Sequence, residues 1–105
     1  MIKALFKTRG GSFSGFDISG HSGYAESGSD IICAAFSTMV NLVTRILDES
    51  GIEYDSFVDD KVPALSVNVL NGTAVSSSVI KSFYCEALEI AKENPKYAAV
   101  KKAAE

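Results

Sequence analysis

The chain has 105 residues, of which 47% are hydrophobic and 22% are charged, as in a single soluble globular domain. Its formal net charge is −3, and proteins that bind nucleic acids broadly are basic, so we expect no direct nucleic-acid binding. The N-terminal MIKALFKTRGGSF lacks the apolar core of a signal peptide, and no run approaches the ~20 apolar residues of a membrane span. We therefore predict one cytoplasmic domain over residues 1–105 without membrane contact.

The first twenty residues predict a β-hairpin. Ile2–Arg9 alternates in part between apolar and polar residues, GGS marks a turn, and Phe13–Ser19 forms the return strand. Gly15 weakens this second strand or marks a bulge. Ile2, Ala4 and Phe6 are expected on one face of the first strand, and Phe16 and Ile18 of the second strand are expected to point inward.

The stretch DIICAAFSTMVNLVTRILDESG predicts a long helix. Ser29 or Asp30 is the expected N-cap, and Gly51 the expected C-terminal stop. The first half is apolar on nearly all sides, which predicts central burial against a sheet. Apolar residues recur at three- and four-residue steps: Ile32, Ala35, Phe36, Met39, Val43, Ile46 and Leu47.

The second half predicts two strands, over Ile52–Asp60 and Ala64–Gly72, and a helix over VSSSVIKSFYCEALEIAKENP that Pro95 follows. The final KYAAVKKAAE is expected to form a short helical turn or a frayed tail. The order β-β-α-β-β-α predicts an α+β two-layer sandwich, with a mostly antiparallel four-stranded sheet and two helices.

The residues with the most obvious chemistry are the single histidine, His21, and two cysteines, Cys33 and Cys85. The cysteine spacing fits no zinc motif, and one histidine with two cysteines falls short of four ligands unless a carboxylate joins them, so we expect no metal. We also expect no other cofactor. Both thiols should be reduced in the cytoplasm. Cys85 lies in the middle of a predicted helix, off its main apolar face, and no chemistry is expected there.

His21 and Cys33 lie on either side of a glycine-rich loop. If Asp30 caps the helix, Cys33 lies in the first turn, where unpaired amides and the helix dipole favour a thiolate. His21, at the tip of a strand, could then pair with Cys33 as base and nucleophile. Asp30 either orients the imidazole or only caps the helix. The simpler alternatives are a cysteine that packs in the core and a histidine on the surface.

Ser37 lies one helical turn after Cys33. Its hydroxyl either hydrogen-bonds near the sulfur or is buried and bonds back to a helix carbonyl.

The stretch SGHSGYAESGSDIICAAFS closely resembles the signature of the bacterial ribosomal-processing cysteine proteases, the Prp family. The resemblance extends along the whole chain, and it is strongest in the loop G-H-x-G-Y-A and the helix start D-I-x-C-A-A. It implies that Cys33 is the nucleophile and His21 the general base. The remaining signature positions, with possible supporting roles, are Gly20, Asp30 and Ser37.

The resemblance also implies a substrate and an assembly. The family removes a short N-terminal extension from large-subunit ribosomal protein number twenty-seven, cuts after a pair of aromatic residues, and forms homodimers. Its loop between histidine and cysteine must move to admit substrate, so the expected substrate-gating residues are Gly23, Tyr24 and Gly28. An apolar cleft is expected beside Cys33, with Tyr24, Ala25 and Phe36 as candidate lining residues.

A cysteine endopeptidase is therefore the leading functional prediction. The alternative is a non-catalytic ribosome-assembly-associated binding module of the same fold, in which Cys33 only packs. A third and weaker reading is a thiol redox sensor that forms a sulfenic acid at Cys33.

Overall fold

A computed structural model describes residues 1–20, 29–59 and 64–105, with the side chains of residues 29 and 30 also left out of the description. Its elements are β1 (Ile2–Arg9), β2 (Ser12–Ser19), α1 (Ser29–Glu49), β3 (Tyr54–Asp59), β4 (Ala64–Val69), α2 (Ala74–Glu93) and β5 (Ala98–Ala104). The five strands lie in the order β3-β4-β2-β1-β5 and are antiparallel except for β1 with β5. This confirms the predicted α+β sandwich and adds a fifth strand.

The C-terminal segment forms β5, so the prediction of a helical turn or a frayed tail is wrong. β5 pairs in parallel with β1, from Ile2 opposite Ala98 to Thr8 opposite Ala104. Alanine and lysine are poor strand formers, so the pattern gave no strand signal. The strand forms because β1 offers a free edge. Two further main-chain hydrogen bonds flank the paired residues. At the start of β5, the amide of Ile2 donates to the carbonyl of Tyr97 at 2.9 Å, and at its end the amide of Glu105 donates to the carbonyl of Thr8 at 2.7 Å.

Both helices pack on one face of the sheet over an aromatic core. The ring of Phe83 in α2 lies 5.0 Å from the rings of Phe6 and Phe16, both edge-to-face, and 6.2 Å from that of Phe36 in α1. Edge-to-face pairs add about 0.5–1.5 kcal/mol beyond the apolar area that they bury. The predicted inward residues Phe16 and Ile18 are in this core or packed against it, and Ile2, Ala4 and Phe6 also belong to it.

The opposite face of the sheet carries a cluster of hydrogen-bonded polar side chains. The Lys7 ammonium lies 3.2 Å from Asp17 Oδ1, which also accepts a hydrogen bond from the Ser66 hydroxyl at 2.7 Å. Lys7 further donates to the side chain of Asn68. These contacts join β1, β2 and β4 across three neighbouring strands.

The end of α1 and the start of α2 agree with local sequence signals, but α1 already begins at Ser29, so the predicted N-cap at Ser29 or Asp30 is wrong by one or two residues. Gly51 has φ +67°, the amide of Ile52 donates to the carbonyl of Leu47, and that of Gly51 donates to Asp48. This is a Schellman motif, and it confirms the predicted stop. α2 begins with a capping box in which the side chains and amides of Thr73 and Ser76 bond reciprocally.

The predicted irregularity at Gly15 is present. The register between β1 and β2 shifts between Lys7 and Thr8, so that Ser14, next to Gly15, is the extra residue of a bulge. A Cβ atom on Gly15 would collide with the carbonyl oxygen of Val67 in β4. Glycine is therefore required here by the close approach of two strands.

Helix α1 is not buried on all sides, which corrects the prediction of central burial. Its inner face, including Phe36 and Leu47, lies in the core, but Ile31 is 65% and Leu42 56% exposed. By length and composition alone, Ile31–Glu49 would qualify as a membrane span. Core helices pass the same test, and the packing of the inner face onto the sheet assigns α1 to the core.

Gly20 ends β2 in a conformation that favours glycine. Its φ is +87°, and a Cβ atom there would collide with the carbonyl oxygen of Met1. The glycine at this signature position therefore has a backbone role: it turns the chain out of β2 immediately before His21.

We predict that Gly20→Ala lowers the free energy of unfolding by about 2 kcal/mol or more, since a strained φ alone costs about 1–3 kcal/mol. Gly51→Ala is the matched control, because Gly51 also has positive φ but has no atom within 4 Å of the added Cβ. Urea unfolding of both variants measures the difference. Equal losses would mean that the crowding against Met1 contributes nothing.

Candidate active site

A cleft of about 450 Å³ opens beside Cys33, at the end of the sheet where β2 and β3 finish. Most of its lining is apolar. The lining residues come from five elements and the turn after β2: Ile2, Ile18, Ser19, Gly20, Cys33, Phe36, Ser37, Val40, Asn41, Val58, Asp59, Ala64 and Leu65. The predicted apolar cleft is therefore present.

Cys33 is a half-buried free thiol at the wall of this cleft, whereas Cys85 is free and exposed on α2. Helix α1 begins at Ser29, so Cys33 is its fifth residue and lies just beyond the first turn. The prediction that Cys33 lies in the first turn of the helix is therefore wrong by one or two residues.

Phe36 and Ser37 occupy different parts of the cleft. Phe36 is only 3% exposed and its ring packs against Phe83, so it forms the floor as part of the core. Ser37 is exposed at the rim, one turn after Cys33. Ser37 is therefore not the buried hydroxyl that was the simpler alternative.

The other predicted site residues lie outside the described part of the chain. These are the candidate base His21, the candidate gating residues Gly23, Tyr24 and Gly28, the candidate lining residue Ala25, and the side chain of Asp30. Their roles remain predictions. The two ends of their segment are described, however, and both Gly20 and Cys33 line the same cleft.

Sequence reasoning missed the contribution of the β3–β4 hairpin. Val58, Asp59 and Leu65 line the cleft, because β4 pairs with β2 and carries β3 to the same end of the sheet. The alternation of Leu65, Val67 and Val69 indicated inward side chains, but only the strand order places Leu65 near Cys33.

Within residues 1–20, 29–59 and 64–105, no group of three or more His, Cys, Asp or Glu side chains is arranged to hold a metal ion. Among the described residues that line the cleft, Asp59 is the single one with a carboxylate.

One titratable group near the start of β3 is perturbed. The hydroxyl of Tyr54 donates a hydrogen bond to Asp48 Oδ1 at 2.8 Å, and this bond raises the pKa of the tyrosine, with smaller contributions from burial and the carboxylate charge. The contact joins β3 to the last turn of α1. It therefore supports the hairpin that forms one wall of the cleft.

Solved structures with the same fold include proteins from two bacteria. SMU.848 from Streptococcus mutans is 21% identical, with a TM-score of 0.88 over 100% of this chain and 99% of that chain. The essential ribosomal processing protease Prp from S. aureus, solved with a covalently linked product peptide, is 16% identical, with a TM-score of 0.88 over 98% of this chain and 100% of that one. Its complex with a substrate peptide is 15% identical, with a TM-score of 0.86 over the same shares.

A search of curated proteins finds no match. The profile of the family described as cysteine protease Prp matches residues 1–99, which is nearly the whole chain. This confirms the resemblance drawn from the loop and helix start. The chain belongs to the Prp family of cysteine proteases.

Proposed function

We propose that this protein is a cytoplasmic cysteine endopeptidase that removes the short N-terminal extension of large-subunit ribosomal protein number twenty-seven. The observation that carries the proposal is a free, half-buried thiol, Cys33, at the wall of an apolar cleft in a chain of the Prp family. The S. aureus relative was solved with a substrate peptide and with a covalently linked product peptide, which supports peptide cleavage as the common chemistry.

The proposed reaction is acyl transfer through Cys33. Its sulfur attacks the scissile carbonyl carbon, and His21, which has taken the thiol proton, returns it to the leaving amine as the C–N bond breaks. Water then hydrolyses the thioester and regenerates the thiol. The first backbone N–H groups of α1 lack intrahelical acceptors, so they are candidates to stabilise the oxyanion.

The cleft suits an aromatic residue before the scissile bond. Its walls combine Ile18, Val40 and Leu65 over the floor formed by Phe36. Burying one aromatic side chain contributes roughly 1.5–3 kcal/mol. This supports the selection of aromatic residues that the family resemblance implies.

The supporting positions receive distinct roles. Gly20 turns the chain toward His21, Ser37 contributes a hydroxyl at the rim, and Asp30, the second residue of α1, orients the imidazole. Gly23, Tyr24 and Gly28 belong to the loop that we expect to admit substrate.

We further propose that the homodimer forms through a helix patch on the outer faces of α1 and α2. The helix patch consists of Ile31, Met39, Leu42, Ile46, Val75 and Val79, all exposed or half-buried. Contiguous exposed apolar residues of this kind mark interaction surfaces. Leu42 lies nine residues after Cys33, which at 100° per residue is the opposite side of α1, so a partner on the patch leaves the cleft open.

Replacing the nucleophile should abolish cleavage. We expect Cys33→Ala to lose all measurable processing of the full-length ribosomal protein, while Cys85→Ser keeps most of it, since Cys85 is exposed on α2 away from the cleft. Mass spectrometry of the reaction mixture measures both. If Cys33→Ala still cleaves near the parent rate, the non-catalytic binding module becomes the better description.

Alkylation should distinguish an activated thiol from a merely accessible one. Cys85 is exposed and Cys33 only half-buried, so accessibility alone predicts that iodoacetamide modifies Cys85 faster. We expect the reverse near neutral pH, and a slower reaction at Cys33 in the His21→Ala variant, because the thiolate loses its partner. Peptide mapping over time gives both rates. Faster labelling of Cys85 would exclude an activated Cys33.

The helix patch predicts a change of assembly. Leu42→Lys should convert the dimer to a monomer in sedimentation velocity without unfolding the chain, since Leu42 is 56% exposed. Leu88→Lys is the matched control, because Leu88 lies on α2 outside the patch. A monomeric parent protein, or equal behaviour of the two variants, would contradict the proposed interface.

A further inference from the structure

We propose that the substrate residues after the scissile bond bind as a sixth strand along the outer edge of β3, antiparallel to it. The inference rests on the proposed function, because it assumes that Cys33 cleaves a peptide in the cleft. It adds a second recognition element, made of main-chain groups, outside the cleft.

β3 is the outermost strand on its side of the described sheet. The amide of Leu70 donates to the carbonyl of Glu53 at 2.9 Å, which fixes the phase of the antiparallel ladder with β4. Hydrogen-bonded pairs alternate along such a ladder, so the main-chain groups of Tyr54, Ser56 and Val58 point away from β4. Such a row of N–H and C=O groups is a template for an added strand.

The edge is continuous with the cleft. Val58 and Asp59, at the end of β3, line the cleft together with Cys33. The two apolar side chains of this stretch, Phe57 and Val58, are 65% and 61% exposed, on opposite faces of the strand. An added strand would cover both, and a peptide leaving the cleft would reach this edge directly.

The direction of β3 determines which part of the substrate lies there. β3 runs from Tyr54 toward the cleft, which it reaches at Val58 and Asp59. Antiparallel pairs are slightly more stable than parallel ones, and they continue the pairing of β3 with β4. An antiparallel peptide therefore runs away from Cys33, so the residues on β3 follow the scissile bond.

Asp55 adds a negative charge to β3, which favours a basic peptide on this edge. Between residues 48 and 59 all the charged residues are acidic: Asp48, Glu49, Glu53, Asp55 and Asp59. Asp55 and Phe57 lie on the same face of β3. In an extended peptide with lysine or arginine at every second position, these positively charged side chains would lie beside Asp55.

The first test removes one edge amide. Ser56→Pro deletes an N–H that points away from β4, and proline is tolerated at such edge positions. Ser56→Ala removes only the hydroxyl. With a synthetic peptide that spans the extension and the start of the mature protein, we expect kcat/KM of Ser56→Pro to be about three- to tenfold below that of Ser56→Ala, with similar melting temperatures.

The second test uses the parent protein and does not depend on a variant that folds. The same peptide is N-methylated at one residue at a time after the scissile bond. Only alternate residues of an added strand direct their main-chain N–H groups toward β3. We therefore expect methylation to lower the cleavage rate at every second residue and to leave it unchanged at the residues between. Equal sensitivity at all positions, or none, overturns the edge-strand proposal.

The outcomes separate the two proposals. A parent protein that cleaves no form of the peptide contradicts the proposed function. A parent protein that cleaves it, with Ser56→Pro equal to Ser56→Ala, overturns the edge strand alone and leaves the protease assignment in place.

Discussion

The packing of Phe83 against the sheet is the contact on which the remaining structure depends. Its ring meets Phe6 and Phe16 edge-to-face and also touches Phe36, so one side chain connects β1, β2 and both helices. Phe36 is three residues after Cys33 on α1. The same contact that closes the core therefore sets the height and rotation of the thiol relative to the end of β2, where the chain turns toward His21.

The elements of the fold could be predicted only where the side-chain pattern of the segment itself indicates a strand, a helix or a helix end. The alternation of β1, β2 and β4 and the Gly51 stop are written in local sequence, and the structure confirms them. β5 could not be found in this way, because its alanines and lysines have no strand preference and its pairing depends on the main chain of β1. The apolar residues on nearly all sides of α1 also led to the wrong prediction that it is centrally buried. One apolar face packs on the sheet, while another, including Leu42, is exposed.

The sequence could identify the site residues that belong to one continuous motif, but not those that strand pairing brings to the cleft from elsewhere in the chain. The motif identified Cys33, and the structure places it in a cleft with Gly20 and Ser37. Val58 and Leu65 join that cleft because of strand order and register, which are long-range properties that no local pattern records. The roles of His21 and Asp30 still rest on the motif, since neither side chain is among those described.

The close approach of Gly20 to Met1 has a practical consequence for the study of this protein. Ile2 lines the cleft and the carbonyl of Met1 lies against Gly20, so residues fused before Met1 would emerge close to this cleft. The other terminus is placed differently: Glu105 bonds to Thr8, at the opposite end of β1. An affinity tag belongs at the C-terminus, where it leaves the entrance of the cleft unobstructed, and an N-terminal tag would change the very surface that an activity assay is meant to measure.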